Sequence, residues 1–490
     1  MQRADPGSPA ALDAKLAYAA YLLKGNSGSS CGSRLTLAQE QIGSVAANPE
    51  SRVMFPDGWA LVADLEYRQH LARAACASRM DRRDELLAAL EAARRAVTLY
   101  RSEFDYHSMV VMRFDAAATL HQLGNEAAAI TALETALHMD RDYGFRDDAR
   151  QNYQLLLAWR GQPAGAAQVA GLMRDFPQRR ATFKFGWHPA DAQIALERRR
   201  VCLSAGQIVH SRGAADFERH IAAARNGGWA VSYSNRLSAY EPGVWPIEKS
   251  PKLPQLAFAP AALPAVDFNV SATGGFAGVT DSESFGLRLI ARTSALIRAG
   301  TPPGPDGHRA MKDALATAGK TLSRGLLEAQ AAENYQLETA MWIGASLEQG
   351  VWYEMSAPLL LPGATWFDVP QRIEFAFTRV VPCTTGAVEK KCVEIVLHAT
   401  PDQTTINNLL ADLVGSSPGS PDMDFAASIN TRIVVDPATL LPYAREERIH
   451  SYASLGTGAA DKILQSEHLV LTARYDDPSL RAAAQARQEP

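Results

Sequence analysis

The sequence predicts an α+β protein: an amino-terminal all-α helical-repeat domain followed by a carboxy-terminal antiparallel sheet packed with helices. Three observations carry this expectation. Across residues 58–180 apolar positions recur at spacings of three and four with few β-branched runs, the period of packed helices. From about Tyr335 onward the period drops to two in short segments bounded by turn residues, the pattern of a sheet with one buried face. Between them, Pro242, Pro246, Pro251, Pro254, Pro260 and Pro264 impose extended backbone and remove amide donors, marking a linker. The expected division is an extension with helical segments (1–57), helical repeats (58–180), a mixed connector (181–241), the proline-rich linker (242–266) and an α+β domain with an antiparallel meander (267–490).

At 490 residues the chain has length for two or three cores, and its 47% hydrophobic content is ordinary for a folded protein. A net charge of -4 gives no global basic field, so no nucleic-acid partner is expected. No apolar run approaches the roughly 20 residues that span a bilayer, so no transmembrane segment is expected. The first residues, MQRADPGSPAALDAKLAYAAYLL, lack a basic flank followed by an apolar block and read as having no secretory signal.

Within the helical part, DELLAALEAARRAVTLY carries one apolar stripe through Leu86, Leu90, Ala93, Val97 and Tyr100. The segment MVVMRFDAAATLHQLGNEAAAITALETALHMD reads as two helices broken at Leu123-Gly124-Asn125, where glycine and asparagine tolerate a left-handed turn. With Gly124 at the turn, Ala129 and Ala136 at small positions and Leu120 at the large site of the first helix, it resembles a tetratricopeptide repeat. Ala117 and Arg141 depart from that family's glycine and proline. A preceding unit places Ala77 in its first helix and Ala89 and Ala96 in its second; a following one has Gly161 at its turn and Ala166 in its second helix. The resemblance implies a stack of helix pairs with a groove for peptides or partner proteins. Arg94, Arg95, Arg101 and Arg113 are its candidate lining, whose forked guanidinium groups suit carboxylates. The competing reading makes them a solvated helix face.

The connector reads as helices at Ala190–Arg199 and Ala214–Arg225, then a strand at WAVSYSN after Gly227-Gly228. The glycines of SATGGFAGVT read as a turn, since neither phosphate-loop nor dinucleotide spacing is present. A capped helix follows in VTDSESFGLRLIARTSALIRAG.

Strands are expected in YQLETAMWIGAS, GVWYEMSAPLLLPG, RIEFAFTRVV, CVEIVLHAT, INTRIVVD, REERIHSYASL and HLVLTARYD, with one helix at QTTINNLLADLVG. Such a sheet is loosely similar to bacterial periplasmic domains that wrap a curved sheet around helices and sometimes hold lipid-like ligands. Trp342, Trp352, Tyr353, Phe375 and Phe377 are candidates for an apolar pocket that takes a small ligand, against the alternative of core packing. Cys383 and Cys392 flank a turn containing Gly386 and read as a clamp across a hairpin, the alternative being two reduced core thiols. No further thiol or imidazole ligands stand nearby for zinc, and no Cys-x-x-Cys pair is present. A clamp implies an oxidising compartment, hence a periplasmic or secreted protein, with cytoplasmic the alternative.

The sequence has no metalloprotease helix and no nucleophile elbow, and His398, His450 and His468 are scattered over the expected sheet. No catalytic residue, metal or cofactor is therefore nominated. The expected function is a noncatalytic protein-interaction scaffold with an appended ligand- or partner-binding α+β domain. The alternative is a hydrolase assembled from distant loops of that domain.

Overall fold

The computed structural model describes residues 9–24, 32–47, 56–204, 207–225, 227–235, 266–280, 282–300, 324–360, 368–384, 390–414, 424–454 and 462–475, with short pieces between 304 and 316. The proline-rich linker lies outside the described residues except for its last position, Val266. Among the described residues, the amino-terminal part is an array of helices: α1 (Pro9–Leu23), α2 (Ser33–Ala46), α3 (Pro56–Cys76), α4 (Arg79–Ser102), α5 (Tyr106–Gln122), α6 (Glu126–Tyr143), α7 (Arg146–Trp159) and α8 (Ala166–Met173).

Consecutive helices pack together, and apolar clusters succeed one another along the array. Leu12, Leu16, Ile42 and Leu65 form one; Tyr67, Ala89, Ala93, Ala96 and Met112 the next; Ala117, Leu133, Leu137, Leu156 and Met173 another. Each helix thus covers its neighbour's apolar side, as in a repeat array. At the expected break, Gly124 takes φ 77° and the Asn125 side chain accepts from the Ala128 amide at 3.4 Å, starting α6. Ala89, Ala96, Ala129 and Ala136 are fully buried, which lets helices approach closely. Two expected small positions differ. Ala77 lies in the turn after α3, and Ala166 is exposed at the start of α8.

Beyond the array a two-stranded sheet pairs β1 (Arg180–Thr182) with β7 (Ser346–Glu348). The main sheet is antiparallel, with eleven strands among the described residues: β2 (Ala190–Ser204), β3 (Gln207–Ala223), β4 (Trp229–Ser234), β5 (Phe268–Val270), β6 (Phe276–Val279), β8 (Trp352–Leu360), β9 (Asp368–Pro382), β10 (Lys391–Pro401), β11 (Asp424–Val435), β12 (Pro442–Ser454) and β13 (Lys462–Tyr475). Their spatial order is β6-β5-β4-β3-β2-β13-β12-β11-β10-β9-β8. The connector's strands and those after residue 267 therefore share one sheet. Further helices among the described residues are α9 (Ser282–Gly300), α10 (Arg324–Glu338) and α11 (Gln403–Val414), the last extending the expected helix at Thr404–Leu413 by one residue at each end.

Three expected elements are corrected. The two connector helices are the long strands β2 and β3. Their Ala, Glu and Arg content favours helix, but Ala192, Ile194 and Leu196 are buried while Asp191, Gln193, Ala195 and Glu197 are exposed, a strict period of two. Pairing with β13 overrides the local preference. The strand expected from Tyr335 is instead the last turn of α10 and a short 3-10 turn at Ala340–Trp342. Tyr335, Glu338, Thr339 and Trp342 are all buried, and their spacing of three and four is helical.

The inner face of the sheet is filled by helix α10, which supplies Leu327 and Ala331 to a cluster with Ile194, Phe217 and Leu471, and Tyr335 to one with Ile221, Val231, Phe268 and Tyr443. That second cluster joins strands from opposite halves of the sheet, so the sheet curls. It also contains Cys383 and Cys392, which form a disulfide with Cα atoms 4.8 Å apart. Cys76 is disulfide-bonded as well and Cys202 is a buried free thiol; Cys31 lies outside the described residues.

The helical array sits on the outer face, which is polar. Val396 of β10 packs with Phe104, Tyr106, Met109 and Tyr143 of the array. Beside it Glu394, fully buried, is held by Arg379 at 2.9 Å and Arg432 at 2.6 Å. Burial alone would raise the Glu394 pKa, but the two guanidinium groups outweigh it and hold it below the usual carboxylate range. Arg379 also lies over the rings of Tyr106 and Tyr143, at 5.7 and 5.3 Å. At the α4–α5 turn, Glu103 approaches Asn430, Arg448 and His450 at 3.2, 3.9 and 3.5 Å. Buried charge of this kind is tolerated only when paired, so the array has one well-specified seat.

Candidate functional site

Where the α6–α7 turn meets the chain entering β8, the array and the sheet enclose a cleft of about 430 Å³. Its formation starts with two glycines. Gly144 ends α6 in the left-handed conformation at φ 82°, and Gly350 takes φ 78°. They meet face to face: a Cβ on Gly144 would lie 2.8 Å from the Gln349 carbonyl oxygen, and one on Gly350 2.7 Å from that of Gly144. Only glycine fits either position.

Gln349, between the two arms, is 5% exposed. Its amide donates to Arg179 O at 2.9 Å, and its side-chain Nε2 donates to the carbonyls of Asp142 and, at 2.9 Å, Thr378. Thr378 falls where the β9–β10 register shifts, and this bulge leaves its carbonyl to meet Gln349 from outside the ladder. Gln349 Oε1, in contrast, is buried with no hydrogen-bond partner. An unmade acceptor costs about 1–3 kcal/mol, so it is a site that favours an incoming N–H.

The cleft is bordered by Phe145, Phe176, Val351 and Trp352, and by the charged groups His107, Arg146, Asp147, Asp148, Arg179 and Glu348. Val351 and Trp352 are 40% and 41% exposed, unusual for large apolar residues side by side. One face of Trp352 stacks on His398, with centroids 5.1 Å apart. His398 Nδ1 lies 2.8 Å from Asn430 Oδ1, and Asn430 Nδ2 donates to Glu103. A continuous polar row thus links the cleft to the seat of the array. His107 Nε2 lies 2.9 Å from Asp148, whose hydrogen bond raises the imidazole pKa.

The residues proposed from sequence are distributed differently. Arg94 pairs with Glu91 at 2.5 Å and Arg95 with Glu66 at 2.7 Å, both on the exposed array surface. Arg101 is exposed in the last turn of α4, and Arg113 is half-buried with its Nε unpartnered. None of the four borders the cleft. Of the aromatic candidates, Trp342 and Phe377 are core residues, and Phe375 and Tyr353 pack on the same cluster. Trp352, next to Tyr353 in a strand, points to the opposite face and alone of the five reaches the cleft. The sequence marked neither Gln349 nor Gly350, whose neighbours are remote in the chain. Gly144 does carry a signal, as a glycine closing a helical period.

Three carboxyl groups have pKa values raised to about 7, in each case chiefly by burial: Asp115 on α5, Asp140 on α6 and Glu333 on α10. They do not converge. Asp115 lies by Asp64 and Arg68, Asp140 accepts from Asn152 Nδ2 at 2.7 Å, and Glu333 lies by Arg445 and Glu447. Among the described residues no three His, Cys, Asp or Glu side chains are grouped to hold a metal ion, and no helix is long and apolar enough to cross a membrane. No protein-family model matches the chain, and a search of curated proteins finds no match.

Proposed function

We propose that this chain is a noncatalytic scaffold that binds a partner protein or peptide in the cleft between its helical array and its sheet. The observation that carries the reading is the cleft itself. Exposed Val351 and Trp352 stand beside a buried, unused acceptor on Gln349, all held by a junction that only paired glycines permit. Of the acids with raised pKa values, Asp115 and Glu333 lie away from the cleft, and Asp140, near His107 and Asp148, is engaged by Asn152, which favours a binding role over hydrolysis. The helices are read as degenerate tetratricopeptide-like units whose role is to wall the cleft and to cover the outer face of the sheet. The Cys383–Cys392 disulfide and the bonded state of Cys76 support residence in an oxidising compartment, periplasmic or extracellular.

The test is affinity capture with the full-length chain in its native host, comparing wild type with Trp352→Ala. Loss of specific partners with unchanged thermal stability is expected. Identical partner recovery by both proteins would remove the cleft from consideration. For the compartment, nonreducing peptide mapping should find the Cys383–Cys392 crosslink in protein taken from its natural location, and free thiols there would refute export.

A further inference from the structure

The cleft opens onto a sheet edge. β8 is the last strand of the main sheet, paired on one side with β9, and among the described residues no strand lies along its other side. An edge strand presents every second residue's N–H and C=O outward, a template for one more strand. β8 begins at Trp352, a cleft residue, so the open edge starts where the cleft ends.

Charge in the cleft is unevenly satisfied. Each bordering carboxylate has a basic partner: Asp148 has the His107 imidazole at 2.9 Å, Asp147 has Arg150 at 3.4 Å, and Glu348 has Arg180 at 3.6 Å. Arg146 and Arg179, by contrast, border the cleft and have no ion pair among the described residues. Arg146 opens α7, whose cap residue Phe145 offers no side-chain acceptor to the first amides. The unsatisfied charge is therefore positive, and it stands beside the unpartnered Gln349 Oε1, which calls for a backbone or side-chain N–H.

Resting on the partner-binding reading above, we infer that the occupant is an extended, acidic segment of a partner protein, added as a strand along β8, with a carboxylate reaching Arg146 and Arg179. Strand addition supplies main-chain hydrogen bonds with little sequence demand, and side chains in pockets supply the specificity. Gln349 Oε1 then accepts an N–H from the segment, Trp352 and Val351 cover an apolar side chain, and the two guanidinium groups select for Glu or Asp. A basic segment meets carboxylates that already have basic partners.

The experiment titrates the full-length protein, by calorimetry or fluorescence anisotropy, with three synthetic peptides. One alternates valine and threonine with glutamate, the second replaces every glutamate by lysine, and the third is the first with alternate amides N-methylated. The acidic peptide is expected to bind about tenfold tighter than the lysine peptide, since two exposed ion pairs are together worth about that factor. N-methylation should abolish binding, and the double variant R146E/R179E should reverse the charge preference. Equal affinity for the first two peptides, undiminished binding after N-methylation, or concentration-dependent pairing of two copies through β8 in sedimentation would each overturn the inference. Partner capture that depends on Trp352 without this peptide pattern leaves the partner-binding reading standing and the acidic strand refuted. Capture indifferent to Trp352 removes the reading itself.

Discussion

Single residues decide whether the array and the sheet meet. Gly144 and Gly350 both have left-handed backbone, and a side chain on either would strike a rigid carbonyl of the opposing segment, that of Gln349 for Gly144 and that of Gly144 for Gly350. Gly124 has a similar φ of 77°, yet nothing lies within 4 Å of where its Cβ would be. The pair separates conformational strain from steric exclusion. Gly124→Ala should cost about 1 kcal/mol, whereas Gly350→Ala should cost about 3 kcal/mol or more, read as midpoint shifts in denaturant melts. Comparable small losses for both would mean that the junction yields at no cost. The sequence announced Gly124 through its Leu-Gly-Asn turn, but Gly350 lies between two strands with no local pattern, because its neighbour is about two hundred residues away.

At the scale of elements, the clamp on the β9–β10 hairpin was legible because cysteine spacing and flanking period-two strands both pointed to it, and the disulfide is present. Replacing both Cys383 and Cys392 by serine should lower stability by about 2–3 kcal/mol, the entropy of a ten-residue ring, in chemical denaturation. Helix α6 carries a different signature. Asp140 holds its proton to about pH 7 in the native state, while an unfolded aspartate releases it near pH 4. Between those values the native state binds more protons, so this group makes stability fall as pH rises, by up to about 1.4 kcal/mol per pH unit. Asp140→Asn should flatten that part of the stability profile, measured by melts from pH 4 to 8; an unchanged slope would show that the carboxyl ionises freely. Elements misread from sequence share one cause. β2 and β3 are built from residues with helical preference, and their identity is set by pairing with β13 and with each other, which no local window contains. Conversely, the strands from Trp352 to Tyr475 declared themselves because one face of each is apolar.

For the whole molecule, the class was readable but the assembly was not. Helices first and strands later predicts α+β; it does not say that the array would lie on the sheet's polar outer face through Glu103, Tyr106 and Tyr143. Nor does it place the cleft, whose walls come from α5, the α6–α7 turn, the segment after α8 and the start of β8. The most direct measurement of the central claim is hydrogen–deuterium exchange on the full-length chain with and without its captured partner. New protection is expected at residues 145–150 and 349–355, at the cleft and the open edge. Protection confined to the surface around Arg94 and Arg95, with the cleft unchanged, would contradict it.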